Sequence, residues 1–100
     1  MTPIETNDLA RIHLWVTGHV QGVGFRAFVQ QQGSILGVKG WVRNVGANRV
    51  ESIAEGSRTT LERFADIVSR GPRGSRIDET AFDWEIPTSE FRDFSIRHSV

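Results

Sequence analysis

The 100-residue chain contains no cysteine, which removes disulfides and thiolate metal sites and leaves the redox compartment open. No apolar run approaches the length of a membrane span. The first residues, Met1-Thr2-Pro3-Ile4-Glu5-Thr6-Asn7-Asp8, have neither a basic start nor an apolar middle, so they do not form a signal peptide. Residues 1–9 read as a flexible tail and the chain as cytoplasmic, with residues 10–100 forming one domain. The three histidines, His13, His19 and His98, are scattered and have no clustered acid beside them, so no metal site is expected. A Gly-x-Ser-x-Gly elbow is absent too, which argues against a serine nucleophile. Acids are missing from residues 9–50, where Arg11, Arg26, Lys39, Arg43 and Arg49 stand alone. Ten acids against seven arginines in residues 51–100, with Glu5 and Asp8, return the net charge to zero. A basic first half favours a small anion there, but it is far from the basic stripe of a nucleic-acid binder.

What the chain does have is a glycine-rich stretch, Gly18-His19-Val20-Gln21-Gly22-Val23-Gly24-Phe25-Arg26. Before it, Ile12, Leu14 and Val16 alternate as in a strand over residues 11–17. After it, Phe25, Phe28, Val29, Ile35 and Leu36 recur at helical spacing, which predicts a helix over residues 25–36 ended by Gly37. A glycine turn between a strand and a helix start directs free backbone N–H groups and the positive end of the helix dipole at one point. Arg26 falls in the first helical turn, where its planar fork suits two phosphate oxygens. The stretch therefore reads as an anion cradle. It also fits G-x-G-x-x-A, but the acid expected about 20 residues on for a dinucleotide is missing. No lysine followed by Ser or Thr closes it as a nucleotide-triphosphate loop.

Two strands are predicted next, over residues 38–45 and 49–55, joined by Gly46-Ala47-Asn48 with Asn48 as the expected left-handed position. Gly56-Ser57 introduces a second helix whose stripe is Leu61, Phe64, Ala65 and Val68, with Ser57 as its N-cap and Gly71-Pro72 as its stop. A strand over residues 77–85, a turn at 87–90 and a short strand within 91–97 complete the chain. The order is βαββαβ with an additional short C-terminal strand. It predicts an α+β, ferredoxin-like two-layer sandwich with two helices on one face of the sheet. The first two strands should run parallel across the intervening helix.

The loop and the segment Gly40-Trp41-Val42-Arg43-Asn44 together resemble the acylphosphatase family. Val50-Glu51, Ala54-Glu55-Gly56, Gly71-Pro72 and Phe94-Ser95-Ile96-Arg97 agree with it, so the resemblance spans roughly residues 12–97. The resemblance implies a hydrolase that cleaves the carboxyl–phosphate bond of small acyl phosphates, without a metal or other cofactor. It makes Arg26 the phosphate-binding arginine and Asn44 the water-orienting residue. The amides of Val20, Gln21, Gly22, Val23, Gly24 and Phe25 would supply the cradle. The implied partners are an acyl phosphate and inorganic phosphate, with no nucleic acid or membrane, and the chain acting as a monomer. Three departures stand out: Ala47-Asn48 replaces a usual Asp-Gly, Gln32-Gly33 interrupts the first helix's stripe, and Ser52 replaces an aliphatic residue.

Two other readings stay open. One is an accessory phosphate- or carbamoyl-phosphate-binding domain like that of a hydrogenase-maturation carbamoyltransferase, against which a chain ending at Val100 would favour the small enzyme. The other is an RNA-binding module of similar topology, which would stack bases on Trp15 and Trp41. The acids Glu51 and Glu55 on a neighbouring strand argue against it.

Overall fold

The computed structural model describes residues 9–100, so most of the expected tail lies outside the described residues. The elements are β1 (Leu9–His19), α1 (Phe25–Leu36), β2 (Lys39–Val45), β3 (Arg49–Ser57), α2 (Arg58–Arg70), β4 (Arg76–Glu85) and β5 (Phe94–Ile96). β1 begins at Leu9, which pairs with Ser57, one residue inside the span read as tail. The five strands form one sheet in the order β4-β1-β3-β2-β5. β3 lies between β1 and β2 and is antiparallel to both, so β1 and β2 run in the same direction as expected. β5 adds to the outer edge of β2 in parallel. This is the ferredoxin-like α+β architecture.

Alternation along β1 buries Ile12, Leu14 and Val16 beneath the helices. Val50 and Ala54 of β3, Val42 of β2 and Phe94 of β5 complete the sheet side of that core. From above, α1 contributes Phe25 and Val29, and α2 contributes Leu61, Phe64 and Val68. Ile35, counted in the first helix's apolar stripe from the sequence, is instead 69% exposed. The buried stripe continues through Gly33. A Cβ there would lie 2.7 Å from the Phe94 ring, so the glycine lets β5 and α1 approach closely. Phe94 in turn packs on Phe64, with ring centroids 5.6 Å apart. What looked like a break in the stripe is a contact site.

Among the described residues, no helix covers the other sheet face, which is closed by charge pairing. The His13 ring nitrogens lie 2.5 Å from Glu51 and 2.8 Å from Glu85. Arg43 donates to Glu51 at 2.8 Å. Burial opposes the charge on Glu51, but the bonds from His13 and Arg43 outweigh it and hold the carboxyl below its ordinary range. Trp41 is covered by the guanidinium groups of Arg43 and Arg97. Ser52, the third departure, is buried on the helix side of β3 and satisfies its hydroxyl by donating to the Trp41 carbonyl at 2.8 Å.

Candidate active site

Local sequence explains why the loop opens as it does. Gly22 and Gly24 have φ of 77° and 76°, the left-handed region that side-chain-bearing residues avoid. Gly24 is also the N-cap of α1 and brings no side chain to bond the first-turn amides. The contrast with α2 is direct, because there Ser57 accepts a hydrogen bond from the Thr60 amide at 3.2 Å. Among the described residues, no acceptor is found for the amides of residues 20–25. The first turn of α1 also holds no acid to neutralise the dipole. Its N-terminus is left positive and unpaired.

Arg26 projects from that first turn. Its Nη1 donates to the Arg97 carbonyl at 3.3 Å, and among the described residues no carboxylate pairs with it. One bond leaves most of the guanidinium's five donors free for an anion. Asn44 arrives from another element. Strand period puts it on the same face of β2 as Val42, whose side chain is in the core, so it reaches the space beside the α1 N-terminus. Val20, Gln21, Gly22, Gly24, Phe25, Arg26, Asn44 and Ile96 border one cleft of about 260 Å³. Val23 is half-buried and packs against the core rather than bordering the cleft. The two residues expected to do chemistry, eighteen positions apart in sequence, therefore share a single small cavity.

Two tethers set the distance between these parts. Gln21 Nε2 donates to the carbonyls of Gly46 and Arg49, at 2.9 Å and 3.1 Å. At the C-terminal end, Arg97 donates its amide to Val42, and Val100 donates to Asn44 and accepts from Gly46. Sequence reasoning missed both Ile96 and the Arg97 carbonyl, since neither residue type signals a role. It also misplaced the hairpin's left-handed residue. Gly46 takes φ 62°, and Ser89 is the one non-glycine with positive φ among the described residues, so Asn48 does not. Glycine needs no strain to turn there, so the flexible residue takes the position first.

His19 is exposed, in keeping with the solvent-facing reading. Among the described residues, no group of three His, Cys, Asp or Glu is arranged to hold a metal ion. No helix there is long and apolar enough to cross a membrane.

A model of the acylphosphatase family matches residues 12–96. An acylphosphatase from Anaeromyxobacter sp. (strain Fw109-5) is 43% identical over 91 residues, which are 91% of this chain and 98% of that protein. The structure of an acylphosphatase from Coxiella burnetii superposes with a TM-score of 0.86 at 30% identity, covering 97% of this chain and 100% of that one. Full-length HypF, solved in a phosphate- and nucleotide-bound form, matches with a TM-score of 0.82 at 30% identity. That match covers 91% of this chain and 12% of HypF.

Proposed function

The chain belongs to the acylphosphatase family and is an acyl phosphate hydrolase, and we propose that Arg26, the amides of residues 20–25 and Asn44 carry the reaction. An acyl phosphate already has a good leaving group, so the protein is left mainly to position the reactants and to stabilise charge. The amides and Arg26 surround the phosphoryl oxygens and stabilise the charge that spreads over them. The Asn44 side chain, with one acceptor and two donors, aims a water in line with the phosphorus. The water oxygen bonds to phosphorus, the bond from phosphorus to the carboxyl oxygen breaks, and the carboxylate leaves with the electron pair. The water's proton goes to a phosphate oxygen of the substrate, because among the described residues bordering the cleft no side chain is placed as a base.

The observation that carries this reading is the uncapped α1 N-terminus opening on the cleft that Asn44 also borders. The accessory-domain reading draws on a match to 12% of HypF, whereas the acylphosphatase relatives align over nearly their full length. We further propose that residues 10–100 work as one monomeric, cytoplasmic unit and need no metal.

The test is hydrolysis of acetyl phosphate or benzoyl phosphate by the purified chain, with and without chelator. Turnover should persist in chelator and be inhibited competitively by inorganic phosphate. Activity that vanished in chelator and returned with magnesium would overturn the metal-free mechanism. Size-exclusion chromatography with light scattering tests the monomer.

A further inference from the structure

Gln21 is the one side chain of the cradle loop that bonds to the hairpin carrying Asn44, among the described residues. Both of its partners are carbonyl oxygens, so the bonding atom must be the amide nitrogen and the direction of the side chain is unambiguous. Gly46 and Arg49, the two acceptors, flank the β2–β3 turn. A third carbonyl of that turn, Asn48, accepts the Gly18 amide at 2.9 Å. The turn is thus held against the start of the loop at three points, two of them supplied by one side chain. Asn44 lies two residues before Gly46 on the same strand, and Gly22 follows Gln21 directly.

We propose that Gln21 is a positioning residue whose side chain sets the distance between the phosphate cradle and the water held by Asn44. This rests on the roles given above to the loop and to Asn44. Substrate binding through the loop amides asks nothing of the Gln21 side chain. In-line attack does, because the cradle and Asn44 stand on different elements, and among the described residues Gln21 makes the side-chain hydrogen bonds from the loop to the hairpin that carries Asn44. An amide suits this role, since it offers two N–H groups to two acceptors and carries no charge that would compete for the anion. Glutamate has the same length but would face two carbonyls with a carboxylate.

The experiment compares Gln21→Met, which keeps length without donors, with Gln21→Asn, which keeps the amide but is one methylene too short to reach both carbonyls. Both are made in the native chain and in an Asn44→Ala background, and assayed on benzoyl phosphate with inorganic phosphate as inhibitor. In the native background kcat should fall about 10-fold to 100-fold, the scale of a misplacement near 1 Å. The inhibition constant for phosphate should stay within about threefold, since ground-state anion contacts are spared. In the Asn44→Ala background the same substitutions should change kcat by less than about twofold, because the residue they act through is gone. Equal losses of kcat and phosphate affinity, or the full kcat loss repeated without Asn44, would overturn the proposal. If Asn44→Ala by itself kept native turnover, the site assignment would fail instead. If Asn44→Ala were slow and both Gln21 variants turned over normally, the tether alone would fall. A thermal melt of each variant separates these outcomes from loss of fold, and two chemically different variants guard against either one failing to fold.

Discussion

Two nests of backbone amides, each with an arginine beside it, differ in what fills them. In the loop before α1, backbone amides and Arg26 face an open cleft. Across the molecule, the Thr88 and Ser89 amides donate to the Glu55 carboxylate at 2.8 Å and 2.9 Å, and Arg11 adds a contact at 3.3 Å. Ser89 has φ 59°, the left-handed conformation that Gly22 and Gly24 take in the loop. Glu55 is 4% exposed, so that nest is closed by the chain's own carboxylate. A nest with an internal anion is a fastening, here of residues 86–91 to β3. A nest without one is, in the reading proposed above, a binding site. In that reading charge-assisted bonds to backbone amides serve both nests, and only the source of the anion differs.

The sharpest way to break this comparison is to take the arginine from the open cradle. Arg26→Ala should lower kcat/KM at least about 10²-fold, the scale seen when one charge-stabilising donor is removed. Millimolar inorganic phosphate should raise the melting temperature of the native protein, and Arg26→Ala should abolish that rise. The unliganded melt should hardly move, because Arg26 makes one exposed bond to the chain. Near-native turnover in this variant would mean that the cradle holds its anion without Arg26.

Glu55→Gln tests the filled cradle and should show the opposite pattern. The two amide bonds and the Arg11 contact lose their charged acceptor inside a buried site, at about 1–3 kcal/mol of stability. Urea unfolding should register that loss while kcat on benzoyl phosphate and phosphate protection remain. A loss of turnover without loss of stability would show that the two cradles are coupled.

A second carboxylate, Glu51, allows a comparison by pH. Its pKa in the folded protein is lowered, with burial opposing and the bonds from His13 and Arg43 prevailing. Its stabilising contribution is therefore complete above the ordinary glutamate value of about 4.3 and is lost as pH falls through the lowered folded value. Melting temperatures between pH 6 and pH 3 should drop less steeply for Glu51→Gln than for the native chain. Parallel curves would show that the Glu51 bonds do not drive acid unfolding.

The smallest effect concerns the hairpin that Gln21 grips. Gly46→Ala should cost about 1–2 kcal/mol, because an L side chain is strained at φ 62°. Asn48→Val should stay within about 0.5 kcal/mol, as expected for an exposed site without special backbone geometry. Reversed sizes in thermal melts would return the left-handed position to Asn48.

Much of this molecule was legible in the sequence because the signals are local. The two-residue period of β1 and the stripe of Leu61, Phe64 and Val68 each name a buried face within one element. The glycine loop and Arg26 in the first turn after it could likewise be read from neighbours in the chain, whereas the role given to Asn44 came from the family resemblance. Ser57 was recognisable as a cap because capping acts over three residues. Periodicity says which side of an element is buried, but not what lies against it. Hence Gly33 read as a flaw until the Phe94 ring was found on it, and Ile35 read as core. Glu55 and Thr88 are 33 residues apart, Gln21 and Gly46 are 25 apart, and Arg26 and Arg97 are 71 apart. Whether a nest is filled or open, and whether a loop glutamine grips a hairpin, depends on which distant carbonyls and carboxylates the packed sheet brings within about 3 Å. Sequence alone determined the elements and the reactive residue types; tertiary structure decided which of them meet, because contact distance is set by packing among all five strands and both helices at once.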